Sequence, residues 1–100
     1  MTFSKLRSIT YLIDTDGATF TVPANCVSIE WDNSESGTPA NVADRTGRLP
    51  RKVYDSGATS GVIFPRQASY GYLLEEQTFD ITFDNPGSTL ALKVTVFVRV

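Results

Sequence analysis

The segment "TLALKVTVFVRV" sets Leu90, Leu92, Val94, Val96, Val98 and Val100 on one parity and Thr89, Ala91, Lys93, Thr95, Phe97 and Arg99 on the other. Alternation of this kind predicts a strand with one face in a core. "VSIEWDN" repeats it, with Val27, Ile29 and Trp31 opposite Ser28, Glu30 and Asp32. "QTFDITFD" does so again, with Phe79, Ile81 and Phe83 opposite Thr78, Asp80, Thr82 and Asp84. The expected core is therefore Val27, Ile29, Trp31, Phe79, Ile81, Phe83, Leu90, Leu92, Val94, Val96 and Val98. Nearer the start, Ile9, Tyr11 and Ile13 share a face. No window of helical length keeps apolar residues at the i, i+3, i+4, i+7 spacing, so no helix is predicted.

Turn signals separate these runs. "DTDG" (Asp14 to Gly17) leads into "ATFTV" and reads as a hairpin, since Gly17 adopts positive φ without steric penalty. Pro23 ends that strand, and "NPGS" turns the "FDITFD" strand into the closing one as a second hairpin. Between them lie a polar loop, "NSESGTPAN", a poorly patterned stretch from Asn41 to Lys52, and short runs "KVYD", "GVIF" and "SYGYLL". About eight short strands predict an all-β fold: one domain over residues 1–100, an antiparallel β-sandwich of jelly-roll type.

Composition narrows the chemistry. With 41% hydrophobic and 20% charged residues the chain is an ordinary globular domain. Its net charge of −2 gives no bulk attraction for nucleic acid or anionic lipid, so neither partner is expected. No stretch approaches the length of a membrane span, and "MTFSKLRSITYLI" lacks the apolar region of a signal peptide; synthesis in a reducing cytoplasm is expected. Cys26 is the single cysteine, which removes an intrachain disulfide and a thiolate cluster and reads as a small buried hydrophobe.

The chain has no histidine. The commonest general base, the Ser-His-Asp arrangement and the commonest metal ligand are thereby missing. "SGATSG" lacks the nucleophile-elbow spacing. Aligning Gly17 with the glycine of a calcium loop puts Leu12 at the first ligand position and Pro23 in place of the bidentate glutamate, so "DTDG" is not such a loop. Asp80 with Asp84, and Glu75 with Glu76, read as solvated carboxylates rather than a glycosidase pair. The expectation is a protein that is not an enzyme and holds no cofactor or metal. Two clusters remain. Arg45, Arg48, Arg51 and Lys52 concentrate positive charge in an acidic chain, as a solvated loop or as a patch meeting acidic neighbours. Trp31, Tyr54, Tyr70 and Tyr72 offer either sheet packing or a sugar-stacking platform. The platform would make the chain a carbohydrate-binding or host-recognition module of a tail or fibre.

The order of parts carries a resemblance. "TFTVPANCVSIEWDN" is a short strand, a "VPAN" turn and an alternating strand ending in Asn. It is followed by a polar loop, a Leu-Pro stretch ("GRLPRK"), an aromatic strand and "FDITFDNPGSTLALKV". This resembles the small β-sandwich virion proteins of tailed bacteriophages: head decoration (cement) proteins and head-fibre or tail accessory subunits. The chain departs from many of them in carrying Arg51 and Lys52 where a glycine follows the Leu-Pro segment. The resemblance implies a non-enzymatic virion subunit that contacts the major capsid protein or other virion proteins as a homo-oligomer, a trimer being one candidate form. Phe97, with Lys93 and Arg99 beside it, is then an apolar anchor in a polar surround, and Arg45, Arg48, Arg51 and Lys52 a second contact. The alternative for Phe97 is a lone exposed aromatic covered by the chain's own N-terminal strand. Left unpaired, the edge of so long a closing strand would invite aggregation, and pairing with another subunit is one way to protect it.

Overall fold

The computed structural model describes residues 5–47, 51–57 and 77–100. Expectations that fall on Arg48, Tyr70, Tyr72, Glu75, Glu76, "GVIF" and "SYGYLL" lie outside those residues. The described residues form seven strands: β1 (Leu6–Ile13), β2 (Ala18–Thr21), β3 (Cys26–Asp32), β4 (Ala40–Asp44), β5 (Lys52–Tyr54), β6 (Thr78–Phe83) and β7 (Leu92–Arg99). Among the described residues there is no helix. The strands form two antiparallel sheets, one of three strands in the order β1-β7-β3 and one of four in the order β2-β6-β4-β5.

The chain changes sheet at most of its turns, and this corrects two expectations. Asp14 to Gly17 does not close a hairpin: β1 lies in the three-stranded sheet and β2 in the four-stranded one. Gly17 does take the positive φ expected of it, 81°. Its N–H donates to the Ile81 carbonyl at 2.9 Å, and the Asp16 carboxylate accepts from the Phe83 N–H at 2.7 Å. The turn is thus docked on β6 and bridges the gap between layers. The reason lies in ladder length. β2 offers four residues, whereas β7 pairs with β1 over all eight. Likewise β6 and β7 belong to different sheets, so the Asn85–Ser88 turn is a crossing and not a hairpin. Among the described strands, only β4 and β5 are both consecutive in the chain and adjacent in a sheet.

The closing strand is not an edge. β7 lies between β1 and β3, with both of its sides paired inside the chain.

The apolar faces of the two sheets meet in one core. Ile29, Trp31, Leu92, Val94, Val96 and Val98 come from the three-stranded sheet, and Phe20, Val42, Tyr54, Phe79, Ile81 and Phe83 from the other. Trp31 sits at the centre. Its ring meets Phe20 edge-on at 6.0 Å and Phe79 edge-on at 5.5 Å, and stacks on Tyr54 at 6.1 Å. Such aromatic pairs add to area burial alone. Two expected core residues are displaced. A bulge between Cys26 and Ser28 inserts one residue, so Cys26 turns inward and is 1% exposed, while Val27 is half-buried. Asn25, just before it, has φ of 64°, a conformation Asn tolerates better than most residues. Leu90 precedes β7 and packs on the core while only partly buried.

One end of the layered structure is closed by a buried polar cluster. Asn33 is fully buried, and its side-chain amide donates to the carbonyls of Thr38 at 2.9 Å and Tyr54 at 3.1 Å. Ser36 Oγ donates to Asn33 Oδ1 at 2.6 Å and accepts from the Ala91 N–H at 2.8 Å. Thr38 Oγ1 accepts from the Asn85 N–H at 2.9 Å.

Two substitutions test this account. Phe79→Ala should cost roughly 3 to 5 kcal/mol in denaturant unfolding, the range for truncating a buried Phe. Asn33→Ala removes far less apolar area, yet should cost at least about 2 kcal/mol because it strands buried carbonyls. A neutral result for Asn33→Ala would show that this cluster does not hold the end closed.

Candidate functional site

The outer face of the three-stranded sheet is set by register. β7 presents Lys93, Thr95, Phe97 and Arg99 outward, since Leu92, Val94, Val96 and Val98 are buried. Ser8 on β1 and Ser28 on β3 stand directly beside Phe97. Thr10 and Glu30 flank Thr95, and Leu12 and Asp32 flank Lys93. Serine side chains are too short to cover a phenyl ring on the middle strand, so Phe97 stays half-buried rather than enclosed. Beside it lies a shallow depression of about 360 Å³, lined by Ser8, Thr10, Glu30, Asp32, Lys93, Thr95 and Phe97. Its floor is hydroxyl-rich, with Thr10 Oγ1 and Thr95 Oγ1 sharing a hydrogen bond of 3.0 Å.

Charge on this face is already directed. Lys93 is ion-paired with Glu35, and that hydrogen-bonded contact, with Asp32 adding a smaller attraction, raises the ammonium's pKa above its ordinary value. Arg99 is exposed at the far end of β7. The arrangement offers an aromatic group amid hydroxyls, two carboxylates and a restrained cation. It suits contact with another surface.

The basic segment does not join it. Arg45 follows β4 and binds Asp80 on the outward side of β6, with Nη2 at 2.7 Å and Nε at 3.3 Å from the carboxylate oxygens. That pair belongs to the four-stranded sheet, on the opposite side of the molecule from Phe97. Arg51 is exposed and Lys52 half-buried at the start of β5. A single flat partner cannot touch Phe97 and Arg45 together. The sugar platform loses two members as well: Trp31 and Tyr54 are 2% and 5% exposed and present no face to a ligand. No group of metal-binding side chains occurs among the described residues. No helix there is long and apolar enough to cross a membrane.

Sequence reasoning placed Phe97, Lys93 and Arg99 on one outward face and missed Ser8, Thr10, Ser28, Glu30, Asp32 and Glu35 around them. The parity of β1 and β3 carried the signal that these residues face outward. The register that brings them to Phe97 is written in no local pattern. Comparison with family models, curated proteins and solved structures gave no match.

The Arg45 pair makes a signed prediction. The hydrogen bond from Arg45 holds the Asp80 carboxyl below its ordinary pKa. A lowered carboxylate contributes stability that is complete above its unfolded pKa and is lost as pH falls through the folded value. Asp80→Asn should therefore lower the melting temperature slightly near neutrality, where the contribution is complete, and converge with the parent in acid, so that the acid side of a melting-temperature series is flattened. The effect is small because the pair is solvent-exposed. An unchanged acid limb would rule out the pair as a contributor.

Proposed function

We propose that this chain is a non-enzymatic structural subunit of a tailed-phage virion, a head decoration (cement) protein that binds the shell through its three-stranded sheet. The observation that carries the reading is the face around Phe97: an aromatic side chain raised on a central strand, in a surround of hydroxyls and charges. That is the form of an interface anchor with a polar rim. On a lattice each contact can be small, because many identical ones act together. The partners are the major capsid protein or other virion proteins, the working form is a homo-oligomer, and the final location is the virion, after synthesis in the host cytoplasm.

The orders β1-β7-β3 and β2-β6-β4-β5 support the jelly-roll reading of the two sheets. Jelly rolls are common among viral shell proteins, which supports the resemblance noted in the order of sequence elements. The basic segment takes a lesser role than the sequence suggested. Arg45 already has Asp80 as its partner and faces away from the Phe97 sheet.

Phe97→Ser tests the reading. The variant should keep the far-ultraviolet spectrum of the parent, since Phe97 lies outside the core cluster. It should lose at least about tenfold in affinity for particles in co-sedimentation, as expected for truncating an anchor worth over 1 kcal/mol. Undiminished co-sedimentation of a folded Phe97→Ser chain would move the contact elsewhere.

A further inference from the structure

The edge that most needs a partner is that of β1. In an antiparallel pair, residues that exchange hydrogen bonds alternate with residues that do not. The Val100 N–H donates to the Lys5 carbonyl at 3.0 Å, in the same register that pairs Leu6 with Arg99. Arg7, Ile9, Tyr11 and Ile13 therefore turn their backbone groups toward β7. Leu6, Ser8, Thr10 and Leu12 turn theirs away from it, toward an edge with no strand beyond it among the described residues. Leu6, Tyr11 and Leu12 are 55%, 38% and 58% exposed. Edges that stay free in monomers are protected by charge, proline, a bulge or shortness. β1 is eight residues long and pairs with β7 without a register shift, and the four residues whose backbone faces the edge are neither charged nor proline.

We infer that β1 pairs with β1 of a second copy, antiparallel, about a two-fold axis through Ile9. Pairing that keeps both outer faces on one side must match residues of equal parity. Centred on Ile9, it sets Leu6 against Leu12 of the second copy and Ser8 against Thr10. On the inward parity it sets Ile9 against itself and Arg7 against Tyr11. Leucine meets leucine twice, each guanidinium meets a phenol ring, and no like charges are opposed. A shift of two residues either way breaks this match: Leu6 meets Thr10 in one case, and Leu12 meets Ser8 in the other. The interface is isologous, so it closes at two copies instead of growing into a fibre. The product joins the two β1-β7-β3 sheets into one whose single outer face bears two copies of Phe97. The pairing uses the strand edge and not the Phe97 face, so it stands or falls apart from the virion reading.

Sedimentation velocity of the full chain over a concentration series tests the copy number. Oxidation of Ile9→Cys, Ser8→Cys and Thr10→Cys chains tests the register. A monomer–dimer equilibrium is expected, with a disulfide-linked dimer from Ile9→Cys alone. At the axis the two Cα atoms of a non-hydrogen-bonded pair lie about 4.5 Å apart, within disulfide reach. Cys26 is buried and contributes no background. Leu12→Glu should weaken the dimer at least about tenfold by setting a carboxylate against Leu6 of the other copy. The monomer should tolerate it, since Leu12 is exposed and lies beside Lys93. A chain that stays monomeric throughout, a trimer, or a dimer indifferent to Leu12→Glu overturns the proposal. So does preferential linkage through Ser8→Cys or Thr10→Cys, which would mark a shifted register.

Discussion

The fold depends on how its connections are closed where strands leave one sheet for the other. A chain that alternates between layers brings loop backbone over the mouth of the core, where water is excluded and every polar group needs a partner. Asn33 meets that requirement. One buried amide collects carbonyls from the β3–β4 connection and from the end of β5, and through Ser36 it also holds the backbone at Ala91. Thr38 adds the turn after β6. At the far end of β4, Asp44 plays a comparable part, its carboxylate accepting from the Thr46 N–H and hydroxyl. Apolar residues at Asn33 and Asp44 would suit the burial and fail the geometry. The two layers are held in alignment by polar groups at the ends as much as by rings in the middle.

How much of this could be read from the sequence follows from the range of the forces involved. Strand faces are local, and β6 and β7 were legible because their alternation is unbroken. β3 was legible except at Cys26, where the bulge reverses parity and no residue type announces an inserted position. Turn residues were recognised correctly, but Gly17 serves an inter-sheet crossing as readily as a hairpin. Which of the two forms is decided by the ladder β1 makes with β7. Phe97 was identifiable as an outward aromatic. The serines beside it were not, because they arrive through pairings remote in the chain. Trp31 and Tyr54 show the converse: their size favours a binding platform or a core, and only the facing sheet decides for the core.

The two outer faces are chemically unlike. On the four-stranded sheet, Arg45 is matched with Asp80, Asn41 with Asp84, and Thr21 with Thr78. Those polar groups are satisfied within the molecule. On the three-stranded sheet a phenyl ring interrupts the polar pattern and gains from being covered. This difference supports the proposed use of the Phe97 face over the basic segment.

β7 also governs the order in which the molecule can form. It is the middle strand of its sheet, and the residues it joins lie far apart; Thr10 and Thr95 are 85 positions from one another. Until β7 is in place, β1 and β3 have no ladder between them, however complete the four-stranded sheet may be. Contacts of such long range make folding slow relative to a chain of local hairpins. During that interval Leu6 and Leu12 stand on a strand unpaired on both sides. Any cut that separates β7 from the chain would remove two ladders at once, so the three-stranded sheet is gained or lost as a unit.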